Sequence, residues 1–393
     1  MKEGWTYKKL GEICDFRSGF AFKSNKFTKI GEPIIRISDI QNEKIDDSNL
    51  VFFDPKSYSE DLSKYLVFPD DILIAMSGGT TGKLGINTSK KTYYLNQRVG
   101  VFRENKKYLN HRYLYYFLHT KSEESLRIAA GAAQPNLSTV QIKSFVIPIP
   151  PLSEQQSIVD YLDSAFAKIE AMKVNAEKAL NEAKALFQAS LKEMLEPKEG
   201  WEEKSLGDVC EIIRGKRFVR ADIVEEGVPC IHYGDIYTHY GLSVTKTRGF
   251  IKPELAKKLR FAKKNDVVVV QAGENNWDIG VGIAYLGEEP AAVHDACFIL
   301  KHKQNPMYIS YYLRSYNYHW YLIDHVHEGK ICSFLKPALE NAPFPLPPLS
   351  EQKAIVETLD SLKSKVDRLQ ENFDKISQEC DSLKQAILRQ VFE

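Results

Sequence analysis

No stretch of about 18 apolar residues occurs in this 393-residue chain, and Met1-Lys2-Glu3-Gly4-Trp5 carries no apolar leader. Neither a helical membrane span nor a secretory signal is expected, and the reading is a cytoplasmic protein without membrane contact. Cysteine is sparse and scattered, at 14, 210, 230, 297, 332 and 380, with no Cys-x-x-Cys spacing. That pattern argues against a disulfide framework and a zinc site, and predicts buried, reduced thiols. Catalytic motifs are missing too. Ser77-Gly78-Gly79-Thr80-Thr81-Gly82-Lys83 invites comparison with a phosphate loop, but Ser77 and Leu84 stand where glycine and Ser/Thr are required. Pro69-Asp70 with Glu104-Asn105-Lys106 resembles a nuclease pattern. The corresponding Asn265-Asp266 has no Glu-x-Lys after it, so the pattern is read as coincidence. No Asp/Asn-Pro-Pro-Tyr/Phe tetrad of an amino-methyltransferase is present. No metal site is expected, and the chain is read as non-catalytic.

What the chain does contain is itself, twice. Pro-Pro-Leu-Ser-Glu-Gln stands at 150–155 and again at 347–352, and Glu3-Gly4-Trp5 with Leu10-Gly11 and Cys14 reappears as Glu199-Gly200-Trp201 with Leu206-Gly207 and Cys210. Gly31-Glu32-Pro33-Ile34-Ile35-Arg36-Ile37-Ser38-Asp39-Ile40 parallels Gly227-Val228-Pro229-Cys230-Ile231-His232-Tyr233-Gly234-Asp235-Ile236. Two copies of this length are too few and too long for a solenoid, so each should be a domain followed by a helix. The divisions expected are 1–150 and 197–347 for the domains, and 151–196 and 348–393 for the helices.

Net charge is only +1, but residues 1–150 hold 22 Lys+Arg against 16 Asp+Glu, whereas 197–347 hold 19 of each. The helical stretches are acidic, with 5 basic against 8 acidic residues and 7 against 9, so they are poor candidates for touching phosphate.

After each Pro-Pro the apolar residues follow a 3-4 rhythm. In the second copy the seam reads Leu359, Leu362, Val366, Leu369, Phe373, Ile376, Cys380, Leu383 and Ile387. Subtracting 197 gives Leu162, Ala165, Ile169, Met172, Ala176, Ala179, Ala183, Leu186 and Ser190, richer in small residues. Small residues on one helix accept large ones from another, so the helices are expected to pack on each other and not each against its own domain. Ser153 and Ser350 are placed as N-caps, with Gln156 completing a capping box in the first. The arrangement expected is an antiparallel coiled coil of two helices about 65 Å long, with the duplicated units related by a pseudo-two-fold axis.

Each domain reads as mixed, so the fold class is α+β: two mixed α/β domains in tandem, each followed by a long helix. Strands are predicted at 33–37, 71–76 and 98–102, matched at 229–233, 266–271 and 296–300, with helices at 113–118 and 308–313. The loop at 77–83 has a counterpart at Gly273-Glu274-Asn275-Asn276-Trp277-Asp278-Ile279-Gly280 of wholly different chemistry. A constant frame with divergent loops suits reading of two different targets. Candidate nucleic-acid contacts in the first domain are Arg36, Ser77, Thr80, Thr81, Lys83, Asn96, Gln97 and Arg98. In the second they are Arg214, Lys216, Arg217, His232, Tyr233, Gln271, Asn275, Asn276, Trp277 and His294. Both sets mix cations suited to phosphate with amides suited to base edges. A duplicated protein-protein adaptor with a coiled-coil spacer is the alternative these residues leave open.

The Gly-Trp...Leu-Gly starts, the Ile-x-x-x-Asp-Ile segments at 35–40 and 231–236, and above all the duplicated Pro-Pro-Leu-Ser-Glu-Gln before a long helix resemble the specificity subunit of Type I restriction-modification systems, over nearly the whole chain. The resemblance implies two target recognition domains, each reading one half of a bipartite double-stranded DNA site, and conserved helices that set the spacing and dock partners. It implies two modification subunits that methylate adenine with S-adenosylmethionine and two ATP- and magnesium-dependent restriction subunits, this chain holding no cofactor and catalysing nothing. Half-sites about one DNA turn apart, roughly 34 Å, would follow.

Overall fold

The computed structural model describes residues 4–41, 43–130, 136–327, 329 and 331–393, so Glu3 of the first repeat marker lies outside the described residues. The chain divides into two compact units: residues 1–175 with 374–393, and residues 176–373.

In the first unit the strand Ile72–Ala75 lies between Val99–Glu104 and Leu84–Ile86 in one sheet. Its four residues are all buried, which explains an unbroken apolar run where alternation would mark a half-exposed strand. A second sheet pairs Glu32–Ile35 in parallel with Tyr93–Leu95, so Arg36 and Asn96 leave that sheet side by side. The second unit repeats the plan. Val267–Val270 is the buried strand, between Cys297–His302 and Gly282–Tyr285, and Val228–Ile231 runs parallel to Ala291–Val293. His232 and His294 emerge there as Arg36 and Asn96 do. One ribbon, Ala272–Gly273 with Cys332–Ser333, belongs to the second unit alone among the described pairings. The helices expected near 113–118 and 308–313 are His111–Thr120 and Pro306–Tyr312. All six cysteines are buried and unpaired, and burial pushes the thiols of Cys14, Cys210 and Cys230 up to about 12.

The repeated hexapeptide is the fastening between helix and domain. Gln155 is fully buried. Its Oε1 accepts from the Asn110 backbone N–H (2.8 Å), and its Nε2 donates to the carbonyls of Tyr108 (2.8 Å) and Pro150 (2.9 Å). Gln352, equally buried, accepts from Asn305 N–H (3.0 Å) and donates to Gln304 Oε1 and the Pro347 carbonyl (both 2.9 Å). The preceding glutamates, Glu154 and Glu351, accept the indole N–H of Trp5 and Trp201, each at 3.0 Å. The tryptophan and glutamate markers at the two ends of each repeat are thus partners of one another.

The long helices span Leu152–Leu195 and Leu349–Phe392. They begin one residue before the serines read as caps. The Pro151 carbonyl accepts the first helical bonds, from Glu154 and Gln155, and that of Pro348 does so for Glu351 and Gln352. Ser153 and Ser350 are therefore inside the helix, and Gln156 bonds Asn110 and Asp160 instead of closing a capping box. Proline dictates this, because its fixed φ suits the helix entry and its carbonyl remains free to accept.

Within the first unit, residues 152–175 run antiparallel to 374–393: Val159 and Leu162 share a core with Leu388 and Phe392, while Ile169 meets Cys380, whose thiol points to the Ile169 carbonyl at 3.8 Å. In the second unit Leu191 and Leu195 share a core with Ile355, Val356 and Leu359, and Lys184 donates to Gln370 at 2.8 Å. The same clusters correct the expectation that the helices do not pack each against its own domain: Val159 and Leu162 share a core with Tyr113 and Ile147, and Ile355, Val356 and Leu359 with Tyr308 and Phe344. The Phe392 ring lies 5.0 Å from Tyr113 and 5.8 Å from Phe117, inside the first domain's core. The seam is also corrected. Leu162, Ile169, Leu359 and Val366 are buried and Leu362, Leu369, Phe373, Ile376 and Ile387 half-buried, but Met172 (57%), Leu186 (60%) and Leu383 (48%) are exposed. The inward stripe of the first helix uses Leu180, Phe187 and Leu191, one residue beyond positions carried over from the second. One residue turns a side chain about 100° around the axis.

Candidate nucleic-acid interface

In the first unit the loop after Ile72–Ala75 turns through Gly78 (φ 76°) and Gly82 (φ 83°), left-handed values that glycine adopts at little cost. It returns as the strand Leu84–Ile86, so it joins strand to strand. A phosphate loop opens a helix, and that reading ends here. The Met76 N–H bonds the Arg98 carbonyl, Gln97 N–H bonds the Phe20 carbonyl, and Asn96 N–H bonds the Ile35 carbonyl, which bring loops 77–83, 96–98 and the residues after Ser18 to one end of the sheets. Gly19 permits this: a Cβ there would sit 2.0 Å from the Leu95 carbonyl oxygen, and one at Gly215 would sit 2.1 Å from that of His294.

On this surface Lys83, Gln97 and Arg98 are exposed. Arg36 is half-buried, paired with Asp39 (3.2 Å) and bonded to the Asn49 carbonyl. The Ser77 and Thr80 hydroxyls are turned inward. Thr81 (2% exposed) donates to the Gly78 carbonyl, and the Asn96 carboxamide oxygen accepts from Arg98 N–H. These last two hold the loops' shape and are withdrawn from direct contact with a macromolecule.

The second unit builds the equivalent place from aromatic rings. His232 and His294 lie 4.8 Å apart between centroids, with Tyr233 at 4.4 Å and 5.3 Å from them and Phe218 5.1 Å from His294. Burial lowers the pKa of both histidines, and for His294 the neighbouring His232 adds to the shift, so both are neutral at pH 7. Lys216 and Arg217 are exposed beside them. A groove of about 630 Å³ is lined by His232, Tyr233, Tyr237, Arg220, Arg248 and Glu274. Arg220, Arg248 and Tyr237 were not among the sequence candidates, since the groove gathers them from three separate segments. Arg214 donates to the Asp295 carbonyl (2.8 Å). Gln271 is buried and donates to the Phe334 carbonyl (2.7 Å), so it too serves the fold. Asn275 and Trp277 project on the loop 273–280, and Asn276 is half-buried within it.

The nuclease-like residues do meet: Asp70, Asp71, Glu104 and Lys106 line one groove of about 960 Å³. Yet Asp71 is held by Arg103 (2.7 and 3.0 Å) and the Phe68 N–H, and Glu104 by His111 (3.1 Å). The turn itself recurs without any Glu-x-Lys, with Asp70 at φ 65° and Asn265 at φ 73°, and with Asp266 accepting from Lys263 N–H as Asp71 does from Phe68. It is a turn of the frame. Among the described residues no group of three or more His, Cys, Asp or Glu is placed to hold a metal, and no helix is long and apolar enough to cross a membrane.

A duplicated frame that carries two unlike polar surfaces on the corresponding ends of its sheets defines a tandem recognition protein. The chain belongs to the Type I restriction modification DNA specificity family, whose model matches residues 2–182 and again 198–378. Among its relatives, the putative type I restriction enzyme MjaX specificity subunit of Methanocaldococcus jannaschii is 29% identical, over 92% of this chain and 87% of that protein. The EcoBI specificity subunit of Escherichia coli is 23% identical over 100% of this chain and 86% of its own length. A solved chain from a study of complex assembly and conformational transition of the type I R-M system superposes with a TM-score of 0.76 at 20% identity, covering 99% of this chain and 97% of that one. The HsdS subunit of Thermoanaerobacter tengcongensis does so at 0.60 and 20% identity, with the same coverages.

Proposed function

We propose that this chain is the non-catalytic specificity subunit of a Type I restriction-modification complex, with 1–150 and 197–347 each reading one half of a bipartite DNA site. The observation that carries the reading is the contrast within the repeat. The bonds of Gln155 and Gln352 to an asparagine N–H and a proline carbonyl and the tryptophan latches recur in both units, whereas the loops at the ends of corresponding strands share almost no chemistry. Selection for two different sequences on one frame produces that contrast. Lys83, Arg98, Lys216 and Arg217 would hold phosphates and fix register, and Gln97, Asn275, Asn276 and the His232/His294 cluster would meet base edges. Modification subunits using S-adenosylmethionine, two per chain, would methylate adenine in each half, and two restriction subunits using ATP and magnesium would complete a cytoplasmic assembly.

The test is co-expression with modification subunits and mapping of methylated adenines on genomic DNA. A split motif with a fixed gap, changed in one half only when residues 1–150 are exchanged, is expected. A stable, active complex with no motif would instead favour a protein-protein adaptor. At the level of single residues, Lys83→Ala should weaken binding to all sequences alike and reduce the salt slope by about one unit. Asn276→Ala should relax base choice in one half-site alone. A binding panel in which both variants act uniformly would sink this division of labour.

A further inference from the structure

Loop 273–280 and the helix Tyr316–Ile323 together form an exposed aromatic surface. The Trp277 indole lies parallel to the His319 imidazole, with centroids 4.5 Å apart and planes 10° apart, yet Trp277 is 69% exposed. His319 covers one face of the indole and leaves the other open. Two devices hold the ring there. The Asn275 side-chain oxygen accepts from the N–H of Trp277 (2.9 Å) and of Asp278 (3.1 Å), and Gly280 (φ 76°) presses the loop's end onto the helix, where a Cβ would meet Leu322 at 2.2 Å. Tyr316 and Trp320 extend the surface along the same helix. Holding a large ring out in water at fixed orientation forgoes the gain of burying it, so the geometry favours a second flat partner.

Charge selects which partner. Glu274 and Asp278 flank the indole and would repel phosphate, whereas Arg220 and Arg248 stand across the groove that Glu274 also lines. The loop therefore faces bases, with the backbone of a nucleic acid kept to the cationic side; carboxylates can also accept from exocyclic amino groups. In the first unit the corresponding loop, Ser77 to Lys83, has no aromatic residue, and neither has its helix Ser122–Ala130.

Resting on the reading of this chain as a DNA specificity subunit, we propose that the Trp277–His319 pair is a stacking platform that receives one unstacked base in the half-site read by the second unit, and in that half-site alone.

The test uses the full chain assembled with modification subunits and duplexes of its mapped motif carrying 2-aminopurine at successive positions. Extrusion of the adenines to be methylated perturbs 2-aminopurine at those adenines in both half-sites, so the informative positions are the others, and a change in emission at one of them, in one half-site only, is expected. Trp277→Ala should abolish it and weaken binding roughly ten- to hundred-fold. Trp277→Phe, which keeps a ring on His319, should retain much of both, and unchanged near-ultraviolet dichroism outside the indole bands would show that the variants fold. Normal motif binding with no change at any position other than the methylated adenines, or a change there that survives Trp277→Ala, overturns the platform and leaves DNA reading intact. Failure of the parent assembly to bind any motif overturns both.

Discussion

Replacing Gln352 by alanine should lower the stability of the second unit by roughly 3 kcal/mol, among the largest effects expected of any single polar side chain here. The carboxamide is fully buried and makes three hydrogen bonds, to Asn305 N–H, Gln304 Oε1 and the Pro347 carbonyl. Its loss strands a buried donor and acceptors at about 1–3 kcal/mol each, and water can repair only part of that. Gln352→Glu should be comparably harmful at pH 7, because a carboxylate accepts from Asn305 but cannot donate to Pro347. Gln188→Ala, at an exposed position of the same unit, should change stability by no more than about 0.5 kcal/mol. Denaturant unfolding of the three variants decides it; a loss below about 1 kcal/mol in Gln352→Ala would remove the clasp from its assigned role.

Acidification should destabilise the second unit through His302. Burial holds its imidazole near pKa 4, against 6.5 unperturbed, while its Nδ1 accepts from Gln304 N–H at 3.1 Å. The unfolded chain takes up a proton as pH falls through 6.5, and the folded chain cannot until about pH 4. The contribution is therefore complete above 6.5 and is lost between 6.5 and 4, to a limit on the order of 3 kcal/mol. His232, His294 and His319 are also depressed, chiefly by burial, and act in the same direction. His302→Asn retains an acceptor for Gln304 but no titration, so its stability should fall less steeply over that range. Equal slopes for parent and variant would show that another group governs the acid limb.

What the sequence made legible is what local physics decides. The strands around 72–75 and 267–270 announce themselves as short apolar runs, and the long helices through their period and their prolines. Gln155 and Gln352 were in plain view within the repeat marker, but their role depends on Asn110 and Asn305, some 45 residues away, which no local pattern reveals. Met172 and Leu186 misled because an offset between repeats preserves sequence position without preserving which side of a helix faces inward. Likewise Thr81, Asn96 and Gln271 have the composition of a reading surface, and only burial separates them from Lys83 and Arg98. The stacked pair of Trp277 and His319 joins segments that sequence gave no reason to connect.

The intrusion of Leu388 and Phe392 into the core of the first unit also orders events in time. Residues 1–175 leave the ribosome well before residue 374 is made, and at 5–20 residues per second the interval is roughly 10–40 s. During that wait Tyr113 and Phe117 lack the ring that will cover them. The first domain to be born is thus the last to be sealed. A truncated message would yield a head with an open apolar seat, a natural substrate for chaperone capture or proteolysis.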